Sequence, residues 1–108
     1  MNAKTQARFE ARAKILKAMA HPSRLFIVDQ LAQGERCVCE LTDGVGADIS
    51  TISKHLSVLK QAGIVCDRKQ GLQVFYRLKT PCILNFFQCI ESVEQANREA
   101  ETCCCAFE

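Results

Sequence analysis

Cys37-Val-Cys39 and the run Cys103-Cys104-Cys105 are the residues best equipped for chemistry, because clustered thiols among polar neighbours can ligate a metal or be oxidised. Eight cysteines in 108 residues would signal a disulfide framework in a secreted protein. The N-terminal stretch Met1-Asn-Ala-Lys-Thr-Gln-Ala-Arg8 lacks a signal-peptide apolar core, so reduced thiols and a cytoplasmic location are expected. Cys66 on a predicted strand, and Cys82 and Cys89 two turns apart on a predicted last helix, read instead as small apolar packing groups. Cys37 is expected in the first turn of a helix, where the helix N-terminus and Arg36 should lower its pKa and keep thiolates available. Positions two apart in an ideal helix point about 200° from one another, so gripping one ion with Cys37 and Cys39 should distort that helix end. Three consecutive cysteines at a chain end are hard to explain as packing. Three readings of the tail stand: it folds back to join Cys37 and Cys39 in the same or the other subunit, it forms a separate site, or it is a disordered adventitious thiol segment.

A second constellation follows directly. From Asp48 to Gly63, Ile49, Ile52, Leu56 and Leu59 recur at helical spacing as one buried stripe, while Ser50, Thr51 and Lys54 point the other way. Short hydroxyls allow a helix to sit deep in a major groove, Lys54 can meet phosphate or guanine, and His55 on the flank can donate to either. Asp48 is positioned as N-cap and Gly63 as stop. Alone, this pattern fits an ordinary amphipathic surface helix equally well. What comes next decides between them: Ile64 to Lys69 and Leu72 to Leu78 read as two strands around Gln70-Gly71, with Val74, Tyr76 and Leu78 alternating. Arg68 and Lys69 are expected at the hairpin tip, straddling the phosphate backbone. The expected DNA contacts are therefore Ser50, Thr51, Ser53, Lys54 and His55 on the 49–62 helix and Arg68, Lys69 and Gln70 on the 64–78 wing.

The remaining elements must hold these residues in place. Phe9, Ala13, Leu16 and Met19 or Ala20 predict a first amphipathic helix, broken at His21-Pro22-Ser23, with His21 capping the turn and Pro22 at a tolerated first-turn position. The second helix, to about Ala32, is apolar nearly all round, so Leu25, Phe26, Ile27, Val28 and Leu31 are assigned to the core, with Gln33-Gly34 as its end. Leu41 and Val45 anchor a short third helix stopped at Gly46. After the hairpin, Thr80-Pro81 opens a last helix whose stripe of Ile83, Phe86, Phe87, Ile90 and Val93 is wide enough to suggest a partner. The fold class is mainly α with a β-hairpin wing: four helices, two strands and a final helix in a winged helix-turn-helix. Residues 1–98 form the DNA-binding and dimerisation domain and 99–108 a Cys-rich tail.

Charge is uneven. Net charge is +2, with 13 basic and 7 acidic side chains in residues 1–80 against 1 and 5 in 81–108. A basic body with so mild a total favours selective, salt-sensitive DNA binding over coating of bulk nucleic acid. The apolar runs are too short and too interrupted by charge for a membrane span.

Ser53-Lys-His-Leu56, Asp67-Arg-Lys-Gln-Gly71 with Tyr76-Arg-Leu78, and Cys37-Val-Cys-Glu-Leu41, in that combination, resemble the ArsR (ArsR/SmtB) family of metal-sensing repressors over about Ile15 to Pro81. The resemblance implies a homodimer, built through its first and last helices, that leaves operator DNA when it binds a metal or metalloid. Cys-Val-Cys-acidic-Leu is similar to the motif of arsenite- and antimonite-responsive members, which implies As(III) or Sb(III) as inducer at Cys37 and Cys39. Such members often carry a third cysteine a few residues on, where this chain has Thr42 and Asp43. Trivalent arsenic favours three thiolates in a pyramid, whereas zinc wants four ligands including imidazole or carboxylate. His21 and His55 are the only histidines, and the last helix lacks the Asp/His pairs of zinc-sensing relatives. Cys103, Cys104 and Cys105 are thus the candidates to complete the site.

Other classes remain to be separated. Cd(II) or Pb(II) could replace the metalloid at the same thiols, and a redox repressor of the same fold would form a disulfide between Cys37 and a tail cysteine. An arsenate reductase or similar enzyme is disfavoured, since there is no Cys-x-x-Cys, no anion-binding cysteine loop and no paired carboxylates near a histidine. A winged helix acting as a protein-binding module would not need Lys54, Arg68 and Lys69, and leaves the thiols without a role.

Overall fold

The computed structural model describes residues 1–103, in the order α1 (Ala3–Met19), α2 (Pro22–Leu31), β1 (Arg36–Cys37), α3 (Val38–Val45), α4 (Ile49–Gln61), β2 (Val65–Gln70), β3 (Gln73–Leu78) and α5 (Ile83–Cys103). Every expected helix and both wing strands are present, and one short strand is added. β1 lies on the far side of β3 from β2, all antiparallel, so the hairpin is two-thirds of a three-stranded sheet ordered β1-β3-β2. α5 runs to Cys103, which makes residues 99–103 of the expected tail helical. Cys104 and Cys105 lie outside the described residues.

Local chemistry sets the boundaries. Asn2 Oδ1 accepts from Thr5 N at 2.8 Å to start α1, and His21 Nδ1 accepts from Ser23 N at 3.1 Å to start α2, with Pro22 in its first turn. Gly63, at φ 82°, lets the chain leave α4 in a left-handed conformation that a Cβ would disfavour, and Gly71 does the same in the wing turn at φ 64°.

The core is small and central. Ile27, Val28 and Leu31 of α2, Leu41 of α3, Ile52, Leu56 and Leu59 of α4, Ile64 just before β2, and Val65 and Leu78 of the sheet form one buried cluster. Each of these side chains is worth roughly 1.5–3 kcal/mol of hydrophobic stabilisation over an exposed one. Leu25, Phe26 and Ile49, read from sequence as core, are not in it. Leu25 and Phe26 are 42% and 39% exposed, because α2 turns one apolar face to the core and a second away from it, and Ile49 in the first turn of α4 is 60% exposed.

That second face of α2 joins others. Leu16, Leu25, Phe26, Phe86 and Ile90 help line an apolar groove of about 640 Å³ between α1, α2 and α5. On α5 only Ile83, Leu84 and Phe87 pack against the core; Phe86, Ile90 and Val93 stay outside. Cys82 sits in the turn before α5 rather than on it, and both Cys82 and Cys89 are exposed, so neither packs in the core as expected. The radius of gyration, 16.9 Å, exceeds the about 13 Å of a compact chain this long, because α1 and α5 reach beyond the core. No helix among the described residues is long and apolar enough to cross a membrane.

Candidate nucleic-acid interface and thiol pair

Asp48 organises the start of α4. Its Oδ1 accepts from Thr51 N at 2.8 Å and from Ser50 Oγ at 3.0 Å, and these bonds, Thr51's first, hold the carboxyl below its usual pKa. Ser50, Ser53 and Lys54 are exposed and Thr51 is half-buried, so the expected outward face exists. Two residues extend it. Ser57 is exposed one turn beyond Ser53, and Ile49 offers an apolar surface of the kind that meets a thymine methyl group. Ile49 was assigned to the buried stripe because it stands three before Ile52; its place at the first helical position takes it off the core.

His55 faces the other way. Its Nδ1 accepts from Arg24 Nε at 3.1 Å, and its ring centroid lies 4.5 Å from that of His21. Burial first, then His21 and Arg24, push its pKa down, which favours the neutral ring, and through Arg24 it braces α4 against the start of α2. Arg24, which sequence reasoning passed over, also donates to Ala18 O at 3.4 Å and so ties α1, α2 and α4 together. The only sequence signal for it was its position two residues after the Pro22 that opens the helix.

On the wing, Arg68 lies opposite Phe75, well short of the Gly71 turn, and not at the tip. Its guanidinium makes a two-pronged bond to Glu35, Nε at 2.8 Å and a terminal nitrogen at 2.6 Å, while its other nitrogen donates to Gln70 Oε1 at 2.6 Å. The same group lies 4.9 Å from the centre of the Phe75 ring. Arg68's hydrogen bond keeps Glu35 ionised by lowering its pKa, so Arg68's charge is compensated within the protein. Lys60 is likewise paired with Asp67, at 3.1 Å. Lys54 and Lys69 remain exposed, with no ion-pair partner among the described residues. Gln70 is exposed beside Lys69, and Leu72 stands at the turn fully in water.

The thiol pair departs from the expected geometry. Cys37 ends β1 and is the N-cap of α3, with φ −82° and ψ 162°, so its side chain does not follow helical angles. As a result Cys37 Sγ and Cys39 Sγ stand 2.8 Å apart, in place of the divergence expected of two residues inside a helix. Cys37 is buried and Cys39 exposed, which gives the pair one face to solvent. Glu40 Oε1 accepts from Cys37 N at 3.0 Å and fixes the first turn. The Cys37 thiol is pushed up in pKa, first by its bond to Cys39 and then by burial, and the backbone N–H of Glu40 only partly opposes this. The expected lowering of the Cys37 pKa is therefore not found, and the thiol form is favoured.

Among the described residues no group of three or more Cys, His, Asp or Glu is arranged to hold a metal. The histidines are 4.5 Å from each other and engaged with Arg24 and Ser23, so they do not supplement the thiols. The side chain of Cys103 is not among those described, and Cys104 and Cys105 lie beyond them.

Comparison with known proteins places this geometry among transcriptional regulators. Residues 21–66 match the profile of the bacterial regulatory protein, arsR family. Over 69 residues the chain is 42% identical to the HTH-type transcriptional repressor SmtB of Mycobacterium tuberculosis, a match of 64% of this chain and 51% of that one. An uncharacterized HTH-type transcriptional regulator of Methanocaldococcus jannaschii is 46% identical over 70 residues, 64% of this chain and 79% of its own. The chain thus spans about half the length of the mycobacterial repressor. In structure it resembles the homodimeric winged helix-turn-helix DNA-binding domain of a possible ArsR-family regulator from Mycobacterium bovis, with a TM-score of 0.79, 31% identity and 92% of each chain covered.

Proposed function

The chain belongs to the arsR family of bacterial regulatory proteins, and from that premise we propose that it is a homodimeric transcriptional repressor released from operator DNA when As(III) or Sb(III) binds Cys37 and Cys39. One observation carries the ligand reading: the two sulfurs stand 2.8 Å apart at a helix N-terminus, with one of them open to solvent. Two soft donors converging without an imidazole, beside a Glu40 carboxylate already taken up by the Cys37 N–H, suit a thiophilic ion such as trivalent arsenic better than zinc. The third thiolate of the pyramid is assigned to Cys103, Cys104 or Cys105, of the same or the partner subunit.

DNA binding follows from the exposed face of α4 and the wing. Ser50, Thr51, Ser53, Lys54 and Ser57 enter the major groove, and Lys69 with Gln70 meets the backbone alongside. The groove between α1, α2 and α5, with Phe86 and Ile90 exposed in the single chain, is where a second copy packs. The reading places the protein in the cytoplasm, where thiols stay reduced and operators are accessible.

The test is anisotropy of labelled promoter DNA, titrated with arsenite, antimonite, cadmium, lead and zinc in turn. Arsenite releases the wild type, and Cys37→Ser/Cys39→Ser binds the promoter but does not release. Truncation after Thr102 separates the third ligand from the pair by weakening release without abolishing DNA binding. Normal release from the double variant removes the thiol pair as the sensor, and cadmium acting where arsenite is inert moves the ligand to Cd(II).

A further inference from the structure

Cys37 is not only a thiol of the sensing pair; it is also the last residue of β1, and β1 is laced to both strands of the wing. Its backbone pairs with β3, Arg36 opposite Tyr76 and Cys37 opposite Phe75. The residue just before it, Glu35, grips Arg68 of β2 through two bonds of 2.6 and 2.8 Å. Arg68 in turn lies over Phe75, the β3 residue in register with Cys37, so the backbone link and the side-chain link meet at one ring. In sequence Glu35 and Arg68 are 33 residues apart.

We propose that the Glu35–Arg68 pair is a positioning element that carries ligand occupancy at Cys37 and Cys39 to the wing, so that the wing is displaced from DNA along with the recognition helix. The inference rests on the thiol-sensor reading above and adds a route to it. A ligand held by both sulfurs fixes Cys37 relative to Cys39 and α3. Cys37 cannot shift without moving its pairing with Phe75, and Glu35 follows in the same segment. Arg68, fastened to Glu35 and stacked on Phe75, then moves β2, and with β2 the neighbouring Lys69 and Gln70.

Coupling between two sites is a ratio of affinities, and that ratio is the readout. Operator affinity is measured with and without arsenite for the wild-type dimer, Glu35→Arg, Arg68→Glu and the double exchange Glu35→Arg/Arg68→Glu. Arsenite binding to the DNA-free proteins is followed separately by its thiolate absorption. The expected result is a ratio reduced at least about five-fold in each single variant and restored in the exchange, with arsenite binding unchanged throughout, since a coupling of ordinary size is about 5- to 150-fold. Bare changes in operator affinity cancel in the ratio, so a purely structural or charge effect does not produce this pattern. Single variants that keep the wild-type ratio, or an exchange that fails to restore it, overturn the relay while the thiol sensor stands. A wild type that binds arsenite without releasing DNA, or does not bind it, overturns the sensor reading and the relay with it.

Discussion

Salt dependence of operator binding distinguishes Lys69 from Arg68, two adjacent cations that sequence alone treats as equivalent. Each phosphate neutralised by a cation contributes about 0.9 to the slope of log affinity against log salt. Lys69 has no ion-pair partner among the described residues, whereas Arg68 is held by Glu35 at 2.6 Å. A dimer presents two wings, so Lys69→Ala should lower the slope by about 1.8. Between about 50 and about 200 mM salt, that means the wild type loses about 12-fold more affinity than the variant. Arg68→Ala removes a charge that Glu35 already offsets and should change the slope by less than about 0.5. Glu35→Gln, which uncovers Arg68, should steepen it. The assay is fluorescence anisotropy of labelled promoter at five or so salt concentrations, each protein checked for dimerisation first. An Arg68→Ala slope loss equal to that of Lys69→Ala would refute the compensation argument, because it would mean that Arg68 leaves Glu35 for phosphate on binding.

Further outcomes follow from other parts of the structure. His55 has a folded pKa below its ordinary value of 6.5, so the folded state resists its protonation; stability is full above about pH 6.5 and falls as pH drops toward the folded value. Urea midpoints taken at neutral and mildly acid pH should show this loss in the wild type and less of it in His55→Gln. The raised pKa of Cys37 favours the thiol at neutral pH, so a cation such as Cd(II) must displace its proton and should bind more tightly as pH rises, whereas arsenite, As(OH)3, carries the thiol proton off as water and should bind with little pH dependence there; calorimetry in buffers of different ionisation enthalpy counts the proton, and a Cd(II) affinity independent of pH contradicts the protonated pair. Ile90→Glu places a charge on the exposed face of α5 and should yield monomers by light scattering with the helical signal retained; an intact dimer would show that this groove is not the interface. Leu56→Ala, fully buried beneath the recognition face, should cost about 2–5 kcal/mol by chemical denaturation.

Helix α4 was legible because three local signals agree on it: apolar residues at helical spacing, an Asp48 cap that the structure confirms by its bonds to Thr51 and Ser50, and Gly63 at positive φ. The wing was legible for the same reason, with alternating Val74, Tyr76 and Leu78 around Gly71. What escaped was set by partners distant in sequence. β1 is two residues long and has no periodicity of its own; it is a strand only because β3 lies beside it. Arg68 looked like a free cation because Glu35 is 33 residues away. His55 sits on a helix flank where spacing alone assigns it to neither face, and Arg24 decides the matter. Leu25 and Phe26 went to the core because an all-apolar helix does not show which of its faces meets its own domain and which meets a partner.

The position of Cys37 at the junction of β1 and α3 gives the proposed ligand a hold on the wing. As a helix residue it would have acted on α3 and α4 alone, and both sulfurs could have met only by unwinding a turn. As the end of a two-residue strand it holds both sulfurs ready and belongs to the sheet that forms the wing. The β1–β3 ladder comprises only the pairings of Arg36 and Cys37, and each hydrogen bond in it contributes about 0.5–1.5 kcal/mol net. Coupling free energies between a sensor and its DNA site run about 1–3 kcal/mol. Weakening one or two bonds of this ladder therefore supplies a change of the required size without disturbing the core of Ile27, Ile52 and Leu56, which is buried on the side of α4 away from the exposed Ser53 and Lys54. A longer β1 would have resisted the ligand, and no strand at all would have left the wing uninformed of it.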